Sequence, residues 1–140
     1  MAQSFTKQSI AHETAQQMIA AAVAKAQELG VPQVVAILDE SGLLKAFCRM
    51  DGAALVSIEV AQNKAYTALF GMPSQDFYNF IKDDPALLAG VPHLPRIALF
   101  GGGLPIRVGD KVVGGIGVSG GTVEQDVACA QAGLEVLKPA

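Results

Sequence analysis

Nine of the 15 glycines in this 140-residue chain fall between Gly101 and Gly121: Gly109, and eight in the runs Gly101-Gly102-Gly103-Leu104-Pro105-Ile106 and Gly114-Gly115-Ile116-Gly117-Val118-Ser119-Gly120-Gly121. A glycine inside a strand gives up side-chain packing and costs chain entropy, so this density requires something to approach the backbone closely. That something is a packed helix or a ligand. On a strand, Val113, Gly115, Gly117 and Ser119 share one face, and the two missing side chains leave a groove for either.

The surrounding pattern sets the fold class. Apolar residues at Ala11, Ala15, Met18, Ala22, Ala26 and Leu29 predict a helix over 6–29, closed by Gly30 and Pro32. Gln33–Leu38 reads as a strand covered on both faces, and the alternation from Leu44 to Met50 makes it half of a hairpin. A second helix is expected over Ala53–Phe70, short helical segments over Ser74–Ala89, and an extended connection over Val91–Pro95. Ile97–Phe100, Pro105–Val108 and Lys111–Ser119 read as three further strands, and Thr122 with Gln125 spells a capping box that opens a last helix. This order predicts an α/β (α+β) fold in a single domain over 1–140, a five-stranded antiparallel sheet packed with helices.

Composition narrows the partners. Hydrophobic residues make up 51% of the chain and charged residues 16%, which is apolar for the surface of a small monomer and points to burial between identical subunits. A net charge of −3 without a Lys/Arg cluster argues against a nucleic-acid surface. No run approaches the roughly 18 apolar residues of a membrane span. The first residues lack the charged leader and apolar stretch of a secretory signal, so a cytoplasmic protein with reduced Cys48 and Cys129 is expected.

Few side chains carry candidate chemistry. Gly115 to Gly120 satisfies G-x-G-x-x-G literally, but only twenty residues follow and no parallel βαβ unit can be built, which disfavours a dinucleotide site. Arg49 and Lys64 are sparse cations beside apolar elements, suited either to a ligand carboxylate or to an internal ion pair with Asp39, Asp51 or Asp126. His12 and His93 have no neighbouring donor at metal-ligand spacing, so no metal site is expected, yet either can ligate haem or move a proton. Met50 and Met72 are weaker haem-ligand candidates. No Ser-His-Asp set can be assembled around Ser119.

Taken together, Asp39-Glu40-Ser41-Gly42, Arg49-Met50-Asp51-Gly52-Ala53, Lys64-Ala65, Gly102-Gly103-Leu104-Pro105-Ile106 and Val113 to Gly121 with Asp126 resemble the GlcG/HbpS family, which includes the C-terminal domain of PduO-type proteins. The resemblance runs over nearly the whole chain. It implies a profilin-like fold, assembly of identical subunits from dimers to octamers, and binding of haem or a related tetrapyrrole in haem handling or redox sensing. The family's haem ligand varies, so His12 and His93 stand on residue chemistry alone. A glycine-edged groove at Gly115, Gly117 and Ser119, with Arg49 or Lys64 meeting the propionates, would suit such a ligand. The competing reading is an enzyme acting on a small carboxylate or oxygenated metabolite, oriented by Arg49 or Lys64, with Asp126 or His93 transferring a proton.

Overall fold

The computed structural model describes residues 1–137. Four strands, β1 (Val34–Asp39), β2 (Leu44–Arg49), β3 (Gly103–Val108) and β4 (Lys111–Ser119), form one sheet in the order β2-β1-β4-β3. Every pairing is antiparallel. Two hairpins are joined side by side, with Val34 opposite Ser119 and Ile37 opposite Ile116.

Helices cover both faces. On one side α1 (His12–Leu29) and α5 (Val123–Leu134) pack together, and Ala15, Met18, Ala22 and Ala26 meet Val35, Ile37, Ile116 and Val118 in the main core. On the other side α2 (Ser57–Ala68) lies across β4, β1 and β3, and α3 (Ser74–Ile81) packs on α2 and β3. A short α4 (Pro85–Gly90) and a 3₁₀ turn (Val91–His93) follow.

Local signals explain most boundaries. Gly30 adopts φ 70° and closes α1, its N–H reaching the Ala26 and Gln27 carbonyls. At α5 the Thr122 hydroxyl accepts the Gln125 N–H and the Gln125 amide oxygen accepts the Thr122 N–H, so the capping box is complete.

The sheet has four strands, not five. Ile97–Phe100 is irregular because its backbone bonds go to hydroxyl side chains: the Ala98 N–H donates to Thr67 Oγ1, and the Phe100 carbonyl accepts from Ser74 Oγ. Residues 6–11 are likewise extended, not helical, with the Ile10 N–H donating to the Val113 carbonyl beyond the end of β1. The second helix starts at Ser57, after turns at 51–52 and 55–56, and the expected extension over 91–95 contains the 3₁₀ turn. A register shift between Ile106 and Arg107 leaves Val113 outside the β3–β4 pairing, so Val113 turns to the α1–α5 side instead of sharing the face of Gly115 and Gly117.

Candidate functional site

The groove at the glycines is filled from within. A Cβ at Gly103, Gly115 or Gly117 would strike the carbonyl of Lys64, Ala65 or Ala61, so these positions let α2 lie directly on the sheet. Ser119, on the same face, is hydrogen-bonded through its hydroxyl to Ser57 Oγ at 3.1 Å. No ligand-sized space remains between Gly115, Gly117 and α2.

Beneath that contact lies a buried ion pair. Lys64 projects from α2 with 1% of its side chain exposed, and its Nζ donates to Asp126 Oδ2 at 2.8 Å and to the Val118 carbonyl at 2.9 Å. The ring of Phe100 covers the ammonium, 5.1 Å from Nζ to the ring centroid. The other Asp126 oxygen accepts the Gly121 N–H at 3.0 Å. Burial pushes the Lys64 pKa down, opposed by its hydrogen bond and charge interaction with Asp126. The pair ties α2, β4 and α5 together, and Gly102 wraps it so closely that a Cβ would press on Nζ and on the Val118 carbonyl.

The other sequence candidates are dispersed. Arg49 is exposed on β2, whose Lys45, Phe47 and Arg49 face the side that α2 leaves open. Asp39 accepts the backbone N–H groups of Ser41 and Leu43 and thus shapes the β1–β2 turn. Met50 is half-buried, with its sulfur accepting the Gln33 N–H, and Met72 is half-buried after α2. His12 is exposed at the first residue of α1, and His93 is exposed in the 3₁₀ turn. The structure brings together Lys64 and Asp126, but not Arg49, His12 or His93 with them.

Two hollows flank the extended N-terminal segment. One, about 320 Å³, is walled by Ile10, Val108, Val113 and Leu137 and also touches Ala11 and Thr14, which bracket His12 in sequence. The other, about 560 Å³, lies beyond Gln8 and is lined by Phe5, Lys7, Glu40, Lys111 and Val112 among others. Both fall in the size range of small-molecule sites, about 300–1,000 Å³. The first hollow offers apolar walls for a flat ring and the second carries Lys111 and the Glu40-paired Lys7 as cations for acid groups, whereas the glycine groove has no room for either.

Sequence reasoning missed the clasp that builds this region. Lys7 Nζ lies 2.8 Å from a Glu40 carboxylate oxygen, and Ser41 bonds to both side chains. Hydrogen bonds from Lys7, Ser41 and Ser9 hold the Glu40 carboxyl at about 2, below its usual 4.5. Glu40 sits in a run that reads as turn chemistry, and nothing local marks residues 5–9 as its partner.

A family model described as "Haem degrading protein HbpS-like" matches residues 10–135. The chain belongs to this HbpS-like family. A Citrobacter freundii protein from the dhaT-dhaS intergenic region is 38% identical over 123 residues, covering 86% of this chain and 87% of its own. The corrinoid adenosyltransferase PduO of Salmonella typhimurium is 37% identical over 123 residues, again 86% of this chain but only 37% of that protein. The crystal structure of a PduOC–haem complex superposes with a TM-score of 0.86 at 35% identity, covering 92% of this chain and 95% of that one. This HbpS-like chain thus shares its architecture with a protein solved in complex with haem. Among its described residues no helix is long and apolar enough to cross a membrane, and no three His, Cys, Asp or Glu side chains gather as a metal site.

Proposed function

We propose that this protein binds haem or a related tetrapyrrole at its N-terminal side, as an assembly of identical subunits. The observation that carries the reading is the match, over nearly the full chain, to a domain whose structure is a haem complex. In this reading the hollow touched by Ala11 and Thr14 would supply the apolar wall, His12 is the candidate ligand for the iron, and Lys111 and the Glu40-paired Lys7 of the second hollow are the candidates for the propionates. Neither histidine lines the two hollows, but His12 lies in sequence between two lining residues, Ala11 and Thr14, and His93 does not. Haem, when bound, would supply iron chemistry at this site, and the residues lining the hollow would orient the ring and shield one face of it from water.

Haem handling suits the chain better than redox sensing. Cys129 is buried, and burial pushes its thiol pKa up, the opposite of what a redox-sensing thiolate needs. Lys64 and Asp126 are occupied by each other, which leaves no observation favouring proton transfer to a small carboxylate substrate.

Titration with hemin tests the proposal. Wild-type protein should give a saturable shift of the Soret band, His12→Ala should lose or displace it, and His93→Ala should leave it intact. No saturable change in the wild type, or the same spectrum in His12→Ala, would overturn it.

A further inference from the structure

The two lysines offered to a ligand's acid groups are not equivalent. Lys7 and Lys111 line the same hollow of about 560 Å³. Among the described residues Lys111 pairs with no carboxylate, whereas Lys7 Nζ lies 2.8 Å from Glu40 Oε2 and 2.9 Å from Ser41 Oγ. Glu40 lines that hollow as well. An acid group entering it meets, at Lys7, an ammonium already neutralised and a carboxylate of its own sign beside it, a juxtaposition that costs binding.

Lys7 is also free to change partners. Residues 5–9 are exposed throughout, follow no helix or strand and, among the described residues, make no backbone–backbone hydrogen bond. The first fixed point after them is Ile10, whose side chain is buried and whose N–H donates to the Val113 carbonyl at 3.0 Å. A segment with so few contacts shifts at small cost. The Lys7 side chain is 54% exposed against 13% for Glu40, which follows directly on β1, so the lysine is the movable half of the pair. Glu40 keeps other donors, since the Ser41 hydroxyl and Ser9 both bond to its carboxylate. Withdrawal of Lys7 therefore leaves that carboxylate hydrogen-bonded and partly exposed, without the cost of a bare buried charge.

We infer that Glu40 is an internal competitor for the ligand's carboxylate on Lys7. In the ligand-free chain it holds Lys7 and so latches residues 5–9. A ligand with two acid groups finds Lys111 open and reaches Lys7 only by displacing Glu40. This rests on the haem reading of the same hollows and adds the contact that holds one of their cations back. An ion pair with so exposed a lysine is weak in water, so displacing Glu40 lowers the affinity for an acid-bearing ligand by a factor of about two to five. A neutral ligand makes no claim on Lys7 and is spared that factor.

Titrations of wild type and Glu40→Gln with hemin, and with hemin dimethyl ester, which has no free acid, test the competition. Glu40→Gln should bind hemin about two- to fivefold more tightly than wild type, and should bind the ester no more tightly. A clasp that only builds the wall of the hollow would give the reverse for hemin, a loss of affinity. Trypsin supplies a reading that needs no ligand, because the protease must take the Lys7 side chain into its own pocket. Cleavage after Lys7 should be about two- to fivefold faster in Glu40→Gln, in proportion to the freed lysine. Hemin affinity unchanged or lowered in Glu40→Gln, or an equal gain for hemin and the ester, would defeat the competition. Wild type that takes up no hemin would instead end the haem reading, and the trypsin rates then decide the latch alone: equal rates in the two proteins rule it out.

Discussion

A lysine with 1% of its side chain exposed stays charged only while its partners stay in place. Lys64→Ala would leave the Asp126 carboxylate buried and unpaired, at a cost of about 3–5 kcal/mol. Replacing both residues by apolar ones, Lys64→Met with Asp126→Leu, should cost less than Lys64→Ala alone, because no charge then remains to be solvated. Urea denaturation of the two variants measures the difference, and equal losses would mean that the pair contributes nothing beyond its packing. That Lys64 is internal while Arg49 is not could not be read from the sequence. Both lie off the main apolar stripe of their elements, and the difference arises because α2 spans β1, β4 and β3 and leaves that face of β2 uncovered. Strand order is a long-range property, and no local spacing encodes it.

Elements with local signals were legible and elements held by distant groups were not. The stripe of α1, its Gly30 closure and the Thr122–Gln125 capping box are written within a few residues of where they act. Ile97–Phe100 is apolar enough for a strand, yet its backbone is claimed by Thr67 and Ser74 from α2 and α3. The N-terminal segment also departs from helix, since it is secured by Glu40 through Lys7, Ser9 and Ser41. That clasp has a defined pH signature. Because the Glu40 pKa falls from 4.5 to about 2 on folding, its contribution is fully present above about pH 4.5 and is lost as the pH drops towards 2. Thermal melts between pH 5 and pH 2 should therefore show a steeper loss of Tm for wild type than for Glu40→Gln. Parallel curves would show that the clasp does not stabilise the fold.

At the scale of the whole molecule, the glycine-rich strands do the opposite of what an open groove requires. They let α2 settle on the sheet, and this close packing moves any ligand from the interior of the sheet to its periphery. Sequence alone left helix packing and ligand binding open at these glycines, because both need the same missing Cβ atoms. The HbpS-like family and its haem-complexed member direct attention to haem, and the hollows beside residues 5–14 are where this chain has apolar walls and cations together.

A crystal structure of the protein grown with hemin tests the central claim most directly. The macrocycle should lie against Ile10, Val108 and Val113, with its iron bonded to His12 and its propionates near Lys7 or Lys111. A macrocycle bound at His93, or wedged between α2 and the glycines of β4, would contradict it.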